Sequence, residues 1–215
     1  MYRELLRRYR ACSAQKGYWR SVCTSLFFFA VSFIVNIYAI AFATEHASNS
    51  VTDIILSNTP VFDVDGLFVY GTFLVAGVTI FLALWQPRRI PFMLKGIALF
   101  WLIRSGFTSM THLGPFTPHV SSDFGATITK AFFGGDDFFF SGHTGLPFLG
   151  ALAFWRKPLV RYFFLAASIL LAVVVLLGHL HYSIDVFSAF FITYTIFHII
   201  LWLFPNDWVV FQETM

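Results

Sequence analysis

Two short segments of the chain combine side chains that can transfer a chemical group. Segment 141–144 contains His143, and His181 precedes Asp185 by four residues. Residues four apart share a face if the turn is helical, and a carboxylate bound to one imidazole nitrogen leaves the other nitrogen as a nucleophile or base. A second histidine can then protonate the leaving oxygen. We therefore predict that His143, His181 and Asp185 are catalytic.

A phosphoryl group at such a centre needs cations and N–H donors around its oxygens. Arg104 lies in an otherwise apolar stretch, and the backbone amides near Gly142 lie at a predicted helix start. Both can bind phosphate oxygens. The residues predicted to contact substrate are Arg104, Thr111, Asp136, Asp137, Ser141, Gly142 and His179.

Structural roles compete with several of these assignments. Arg104 could pair with Asp136 or Asp137, and these two carboxylates could instead stabilise the positive end of the helix that follows them. His179 could be a metal ligand together with His181, although two histidines in an HxH pair are weak evidence for a metal. We expect no metal and no cofactor.

The composition identifies the environment in which these residues lie. Of 215 residues, 58% are hydrophobic, 20% are aromatic and 12% are charged. Soluble domains are about one quarter charged, and disordered chains are poor in aromatic residues. The sequence therefore predicts an integral membrane protein.

Six uncharged or nearly uncharged stretches are long enough to be helical spans of about 20 residues. They cover residues 21–43, 67–85, 90–113, 138–155, 162–183 and 186–204. Their apolar runs are continuous, whereas barrel strands alternate between lipid-facing and lumen-facing residues. We predict an all-α bundle of six transmembrane helices at 21–204, with a basic segment at 1–20 and a short tail at 205–215.

The cations predict the orientation of these helices. All but Arg104 and Lys130 of the 14 Lys and Arg residues fall on one side of the predicted bundle. Short cytoplasmic loops carry excess Lys and Arg, so both termini are predicted to be cytoplasmic and the site to face the outside. The basic side indicates contact with anionic lipid and not with nucleic acid.

At these residues the sequence resembles the sphingomyelin synthase branch of the type 2 phosphatidic acid phosphatase superfamily. The two signature segments are Phe140-Ser141-Gly142-His143-Thr144 and His181-Tyr182-Ser183-Ile184-Asp185-Val186. The wider match includes Gly135, Asp136, Arg104, Thr111 and Pro115, and the resemblance extends from about residue 61 to residue 204.

The resemblance implies a metal-independent enzyme that acts on a phospholipid headgroup in the outer or lumenal leaflet. It implies that His181 attacks phosphorus, that Asp185 orients His181, and that His143 handles the proton of the leaving or accepting hydroxyl. In a synthase, diacylglycerol leaves and a lipid alcohol such as ceramide accepts the phosphohead group. In a phosphatase, water takes the place of the lipid alcohol.

Departures from the phosphatase pattern favour the synthase branch. The KxxxxxxRP segment is missing, Phe140 stands where phosphatases have Pro, and Val174 and Val175 replace a Ser-Arg pair. The chain also lacks the long amino-terminal extension of some animal members, which favours a bacterial inner-membrane protein.

Three functional hypotheses follow from the sequence. The leading hypothesis is a phosphohead-group transferase whose partners are a phospholipid donor and an acceptor of the diacylglycerol or ceramide type. The first alternative is a lipid phosphate phosphatase or phospholipase C-like hydrolase that uses the same residues. The second is a small non-catalytic transporter. The sequence leaves open whether the protein forms a homo-oligomer.

Overall fold

The computed structural model describes residues 2–117 and 139–213, in which every regular element is a helix. The α-helices are α1 (Tyr2–Ser13), α2 (Tyr18–Glu45), α3 (Asp65–Trp85), α4 (Ile90–Met110), α5 (Gly142–Ala153), α6 (Pro158–Leu177), α7 (Ser183–Leu203) and α8 (Pro205–Gln212). Short 3-10 turns occur at Leu56–Asn58 and Pro87–Arg89. The predicted all-α membrane fold is confirmed.

Five helices within the described residues are long and apolar enough to cross a membrane. They are α2, α3, α4 together with the 3-10 turn before it, α6 and α7. Large apolar side chains are exposed along these helices, for example Leu74 and Ile80 on α3 and Phe191 on α7. Such a surface is stable against lipid tails and not against water.

The fourth predicted span contains a much shorter helix. Helix α5 has 12 residues and begins at Gly142, so it is about 18 Å long, whereas the hydrocarbon core of a bilayer is about 30 Å thick. Pro147 lies inside it and cannot donate a backbone hydrogen bond. The count of six spans and the cytoplasmic position of both termini stay predictions.

The fifth and sixth spans begin and end earlier than the sequence suggested. Helix α6 ends at Leu177 because Gly178 caps it and His179 adopts a left-handed backbone with φ of 54°. Helix α7 then begins at Ser183. The prediction that His179 and His181 close a helix is therefore wrong, and both residues lie in the connection between two helices.

Close packing fixes α5 against its neighbours. A Cβ atom at Gly145 would lie 2.7 Å from a ring carbon of Phe100 on α4 and 2.8 Å from the Thr193 hydroxyl on α7. Only glycine allows this approach, because real Cβ atoms do not come so near to other heavy atoms. The start of α5, which carries His143, is thereby held beside α4 and α7.

The terminal helices pack on the membrane domain. Helices α1 and α8 both contact the Pro87–Arg89 turn. Cys12 and Tyr18 are buried in a small cluster next to α1, and Phe211 of α8 is buried in the main core. The segments predicted to flank the bundle therefore cover the end of the molecule that contains Arg88 and Arg89, which we call the basic end.

Candidate active site

One backbone hydrogen bond joins the two segments singled out in the sequence. The amide of Ser141, at the start of α5, donates to the carbonyl of Asp185, in the first turn of α7, over 3.0 Å. Both residues are fully buried. Helices that are 41 residues apart at their starts are thus fixed side by side, and this brings His143 and His181 together.

The structure places His181 and Asp185 across a helix start and not along a helix face. Tyr182 is the N-cap of α7, and its amide donates to Asp185 Oδ2 over 3.0 Å. His181 Nδ1 lies 3.5 Å from the same oxygen. This distance is long for a hydrogen bond, but catalytic contacts often shorten when substrate binds. The two side chains lie close together, although His181 precedes the first residue of α7.

His143 faces His181 from the first turn of α5. The two ring centroids are 6.2 Å apart, with the ring planes inclined by 50°. The ring of Phe68 on α3 packs against His143 at 4.5 Å between centroids. A hydrogen bond is about 3 Å long, so a single phosphate group between the two histidines can contact both rings.

Arg104 is buried beside these histidines and is 5% exposed. Its Nε donates to the carbonyl of Phe140 over 3.2 Å, and its Nη1 lies 3.5 Å from Asn36 Oδ1 on α2. A Cβ at Gly142 would lie 3.4 Å from Arg104 Nε. The guanidinium is therefore next to the backbone amides that begin α5, and together they form a positive region beside His143.

A cavity of about 360 Å³ connects these residues. Arg104, His143 and His181 lie on its wall together with Asn36, and most of the other lining side chains are apolar. The apolar part extends along α3, α4 and α5 as far as Phe92 and residues 153–154, near the basic end. The cavity thus has one polar region in a long hydrophobic chamber, an arrangement suited to an amphipathic ligand.

The cavity lies between two helices that are loosely associated. Helices α2 and α3, both fully described, line it but make few contacts with each other. Ala76 and Ile80 of α3 line it and are exposed.

Not every predicted contact residue lies at the cavity. Thr111 ends α4, and its hydroxyl donates to the carbonyl of Phe107 in its own helix. His179 is 3% exposed, its Nε2 lies 3.1 Å from the carbonyl of Thr59, and it packs against Phe116. The structure gives both residues local contacts away from His143 and His181. Asp136 and Asp137 lie outside the described residues.

Ser141 and Gly142 lie at the site but act there through the backbone. Ser141 makes the amide bond to Asp185, and its buried hydroxyl finds no hydrogen-bond partner among the described residues. Gly142 lines the cavity next to Arg104. Within the described part of the chain, no three His, Cys, Asp or Glu side chains are grouped as a metal site would require.

Sequence reasoning missed Asn36. It is 3% exposed, lies in the middle of α2 and lines the cavity opposite Arg104. The signal was available, because an amide side chain in an apolar span is as unusual as the arginine it contacts. Its carbonyl oxygen orients the guanidinium towards the cavity.

Sequence reasoning also missed Asp53, which secures the start of α7. Its Oδ2 accepts from the amide and hydroxyl of Ser183 over 2.7 and 2.8 Å, and its Oδ1 accepts from the amides of Ile55 and Leu56. Burial alone would raise the pKa of Asp53, but these hydrogen bonds outweigh it and hold the pKa below its ordinary value. Asp53 therefore ties the loop after α2 to the helix that carries Asp185.

A comparison with known proteins matches part of the chain to one family model. Residues 135–202 match the family model described as PAP2 superfamily C-terminal, and this region includes His143, His181 and Asp185. No curated protein matches the chain. The match covers about a third of the chain. It supports the type 2 phosphatidic acid phosphatase superfamily, and with it a multi-pass membrane enzyme of the lipid phosphatase or phosphotransferase type.

Proposed function

We propose that the chain transfers the phosphohead group of a phospholipid to a lipid alcohol. The observation that carries this proposal is the cavity, in which two facing histidines and a buried arginine open into a long apolar chamber. Its volume is in the range of ligand pockets, and its lining matches the acyl chains of a donor and an acceptor better than it matches water. The acceptor is of the diacylglycerol or ceramide type.

In the first half of the reaction, His181 attacks phosphorus through Nε2. Asp185, on the Nδ1 side of the ring, favours the tautomer with its proton on Nδ1 and stabilises the charge that develops. The bond between phosphorus and the diacylglycerol oxygen breaks, and His143 gives that oxygen a proton. The products of this step are free diacylglycerol and a headgroup phosphate bonded to His181.

In the second half, the acceptor hydroxyl takes the place of diacylglycerol. His143, now neutral, removes its proton while the oxygen attacks phosphorus, and the bond between phosphorus and His181 breaks. Arg104 and the amides at the start of α5 stabilise the negative oxygens in both steps. The cycle returns both histidines to their initial states and needs no redox change.

Labelled lipid distinguishes transfer from hydrolysis. Purified protein is incubated with headgroup-labelled phospholipid, with and without a lipid alcohol acceptor. The proposal predicts a labelled new lipid that depends on the acceptor, whereas a water-soluble labelled product alone would establish a hydrolase instead. His198→Ala is a matched control, because His198 is exposed on α7 and its hydrogen bond is to the carbonyl of Tyr194 in the same helix.

We place the reaction on the outer side of a bacterial inner membrane. The distribution of cations supports this orientation, because Arg88 and Arg89 lie at the opposite end of α4 from Arg104. In sealed inside-out or right-side-out vesicles, an impermeant thiol reagent should distinguish a cysteine placed next to His143 from one placed next to Arg156. Equal labelling of both would contradict the orientation, provided that Cys12 and Cys23 have been replaced.

A further inference from the structure

The basic end contains an arginine that no described residue neutralises. Arg89 is 3% exposed and stacks over the rings of Phe154 and Phe211, at 5.1 and 5.8 Å from their centroids. Its Nε is enclosed without an acceptor among the described residues, whereas its two terminal amino groups are not fully enclosed. Among the described residues, no carboxylate or carbonyl oxygen accepts a hydrogen bond from its side chain. Burying such a cation is costly unless an anion binds it.

Other positive charges crowd the same place. Arg88 is 6% exposed, and its nearest carboxylate is that of Glu213, whose side chain is 51% exposed and 3.3 Å away. Arg8 donates to the carbonyl of Trp85, two residues before Pro87, and the charges of Arg8 and Arg88 both act unfavourably on Arg89. Helix α4 begins at Ile90 and adds the positive end of its dipole.

The carboxylates at this end do not balance these charges. Glu4 is shared between Arg7 and Arg8, and among the described carboxylates Glu213 is the one that approaches Arg88. By contrast, Lys95 at the same end of α4 has the carboxylate of Asp207 at 2.5 Å. The chain therefore provides an internal anion for Lys95 and provides none for Arg89 among the described residues.

The position of this cluster indicates where an anion would come from. Trp85 lies under Arg8, and Trp155, which is 52% exposed, follows Phe154. Tryptophan side chains concentrate at the headgroup level of a membrane. Guanidinium groups bind phosphate oxygens through paired N–H donors. A lipid phosphate at this level would lie within reach of Arg88 and Arg89.

We propose that Arg8, Arg88 and Arg89 form a binding site for the phosphate of an anionic phospholipid at the basic end of the molecule. The site is separate from the catalytic centre, because 15 residues of helix between Arg89 and Arg104 span about 22 Å. Occupation neutralises the cluster on which α1, α3, α4 and α8 converge. The bound lipid therefore stabilises the packing of both terminal segments on the bundle.

Thermal unfolding of the purified full chain tests the proposal. The wild type is compared in neutral detergent micelles, in the same micelles with phosphatidylcholine, and in micelles with phosphatidylglycerol. We expect phosphatidylglycerol to raise the midpoint of unfolding by at least about 2–4 °C relative to phosphatidylcholine, the shift that about 1 kcal/mol produces in a chain of this size. Millimolar inorganic phosphate is a further arm that distinguishes a soluble anion from a lipid.

The Arg89→Gln variant separates a binding role from a structural one. If Arg89 binds lipid, the variant loses the phosphatidylglycerol shift but is at least as stable as the wild type in neutral micelles, where a buried unpaired charge has been removed. If Arg89 serves only to stack on the two phenylalanines, the variant is destabilised equally in every micelle, and the proposal is overturned. Arg20→Gln removes an exposed cation at the same end and should keep the shift.

Two further results decide the occupant. Native mass spectrometry should count phosphatidylglycerol retained by the wild type and show about tenfold weaker retention by Arg89→Lys, which keeps the charge but not the paired donors. This measurement stands even if Arg89→Gln fails to fold. If inorganic phosphate alone produces the full Arg89-dependent shift of the unfolding midpoint, the anion site is supported and its occupant is a soluble anion. Equal retention by wild type and Arg89→Lys, with no shift from either anion, overturns it.

Discussion

Two polar clusters lie at opposite ends of α4, and they satisfy their charges in different ways. At the basic end, Lys95 donates to Asp207 over 2.5 Å and to the Ser21 hydroxyl over 3.1 Å, while Ser21 donates to Asp207 over 2.7 Å. The three side chains bond to one another. At the other end, near His143 and His181, Asp185 Oδ1 and the buried hydroxyls of Ser141 and Thr193 have no hydrogen-bond partner among the described residues.

This difference indicates which cluster stabilises the fold and which is available for chemistry. The triad pairs its two opposite charges with each other, so its contribution is to hold α2, α4 and α8 together. Polar groups buried without partners cost about 1–3 kcal/mol each. Such groups are common at functional sites, and two of them here, on Ser141 and Asp185, belong to the segments that carry His143 and His181.

The largest effect is expected for His181→Ala. Loss of the proposed nucleophile should lower kcat by at least about 10³-fold, because residues that act as one catalytic unit have large individual effects. The free energy of unfolding should change by less than about 2 kcal/mol, since this side chain makes only a long approach to Asp185 and a ring contact with His143 among the described residues. Activity is measured with labelled phospholipid and stability by denaturant unfolding. Substantial activity in a folded variant would remove His181 from the mechanism.

Arg104→Gln should have the next largest effect. Removal of a buried donor that stabilises negative oxygens is expected to lower kcat/KM by about 10²–10³-fold. Arg104→Lys should recover only part of this loss, because an ammonium group cannot reproduce the planar fork that bonds to Phe140 and faces Asn36. Arg161→Gln is the matched control at the other end of the molecule. If Arg104→Gln instead lost stability with normal activity per folded molecule, the arginine would belong with the structural cluster.

The membrane fold was predictable because apolar length is a local property of the sequence. Five of the six predicted spans correspond to helices of spanning length, and helix starts at Pro158 and Ser183 differ from the prediction by a few residues. The fourth span differs most in length, because the length of α5 depends on its packing against α6 and α7 and not on its own hydropathy. The early end of α6 was signalled by Gly178, a common residue just past a helix end.

The site was predictable only as far as residue types reveal chemistry. His143, His181 and Asp185 stand out because ionisable groups are rare in spans. The role of Asp53 depends on a contact with Ser183, 130 residues away, and no local pattern indicates such a pairing. His179 looked like His181 in sequence, yet its left-handed backbone turns it towards Thr59. Distant contacts and backbone geometry separate the residues that look alike.

Substitutions in the triad of Ser21, Lys95 and Asp207 should lower the stability of the protein and leave its activity nearly unchanged. Asp207→Asn leaves Lys95 buried without its counter-ion, and breaking a buried ion pair in this way costs about 3 kcal/mol or more. The double variant Lys95→Met with Asp207→Leu should recover most of this loss, because two apolar residues of similar size remove both charges. Unfolding free energies check both variants. Activity per folded molecule should stay within about twofold of the wild type, and a larger loss would mean that the two clusters are coupled.

Asp53→Asn should have a smaller effect on stability than Asp207→Asn, and its pH dependence identifies the cause. The variant keeps the size of the side chain but replaces charge-assisted bonds to Ser183 with weaker ones, at a cost of about 1–2 kcal/mol. Because the pKa of Asp53 is lowered in the folded chain, its contribution is complete above the ordinary aspartate pKa of about 3.9 and disappears as the pH falls through the lower folded value. The difference in unfolding free energy between wild type and variant should therefore be constant from about pH 5 to pH 8 and shrink below about pH 4. Activity should fall about tenfold across the constant range, because α7 no longer holds Asp185 firmly beside His181. A difference that persisted at low pH would show that the shape of the side chain, and not its charge, secures the start of α7.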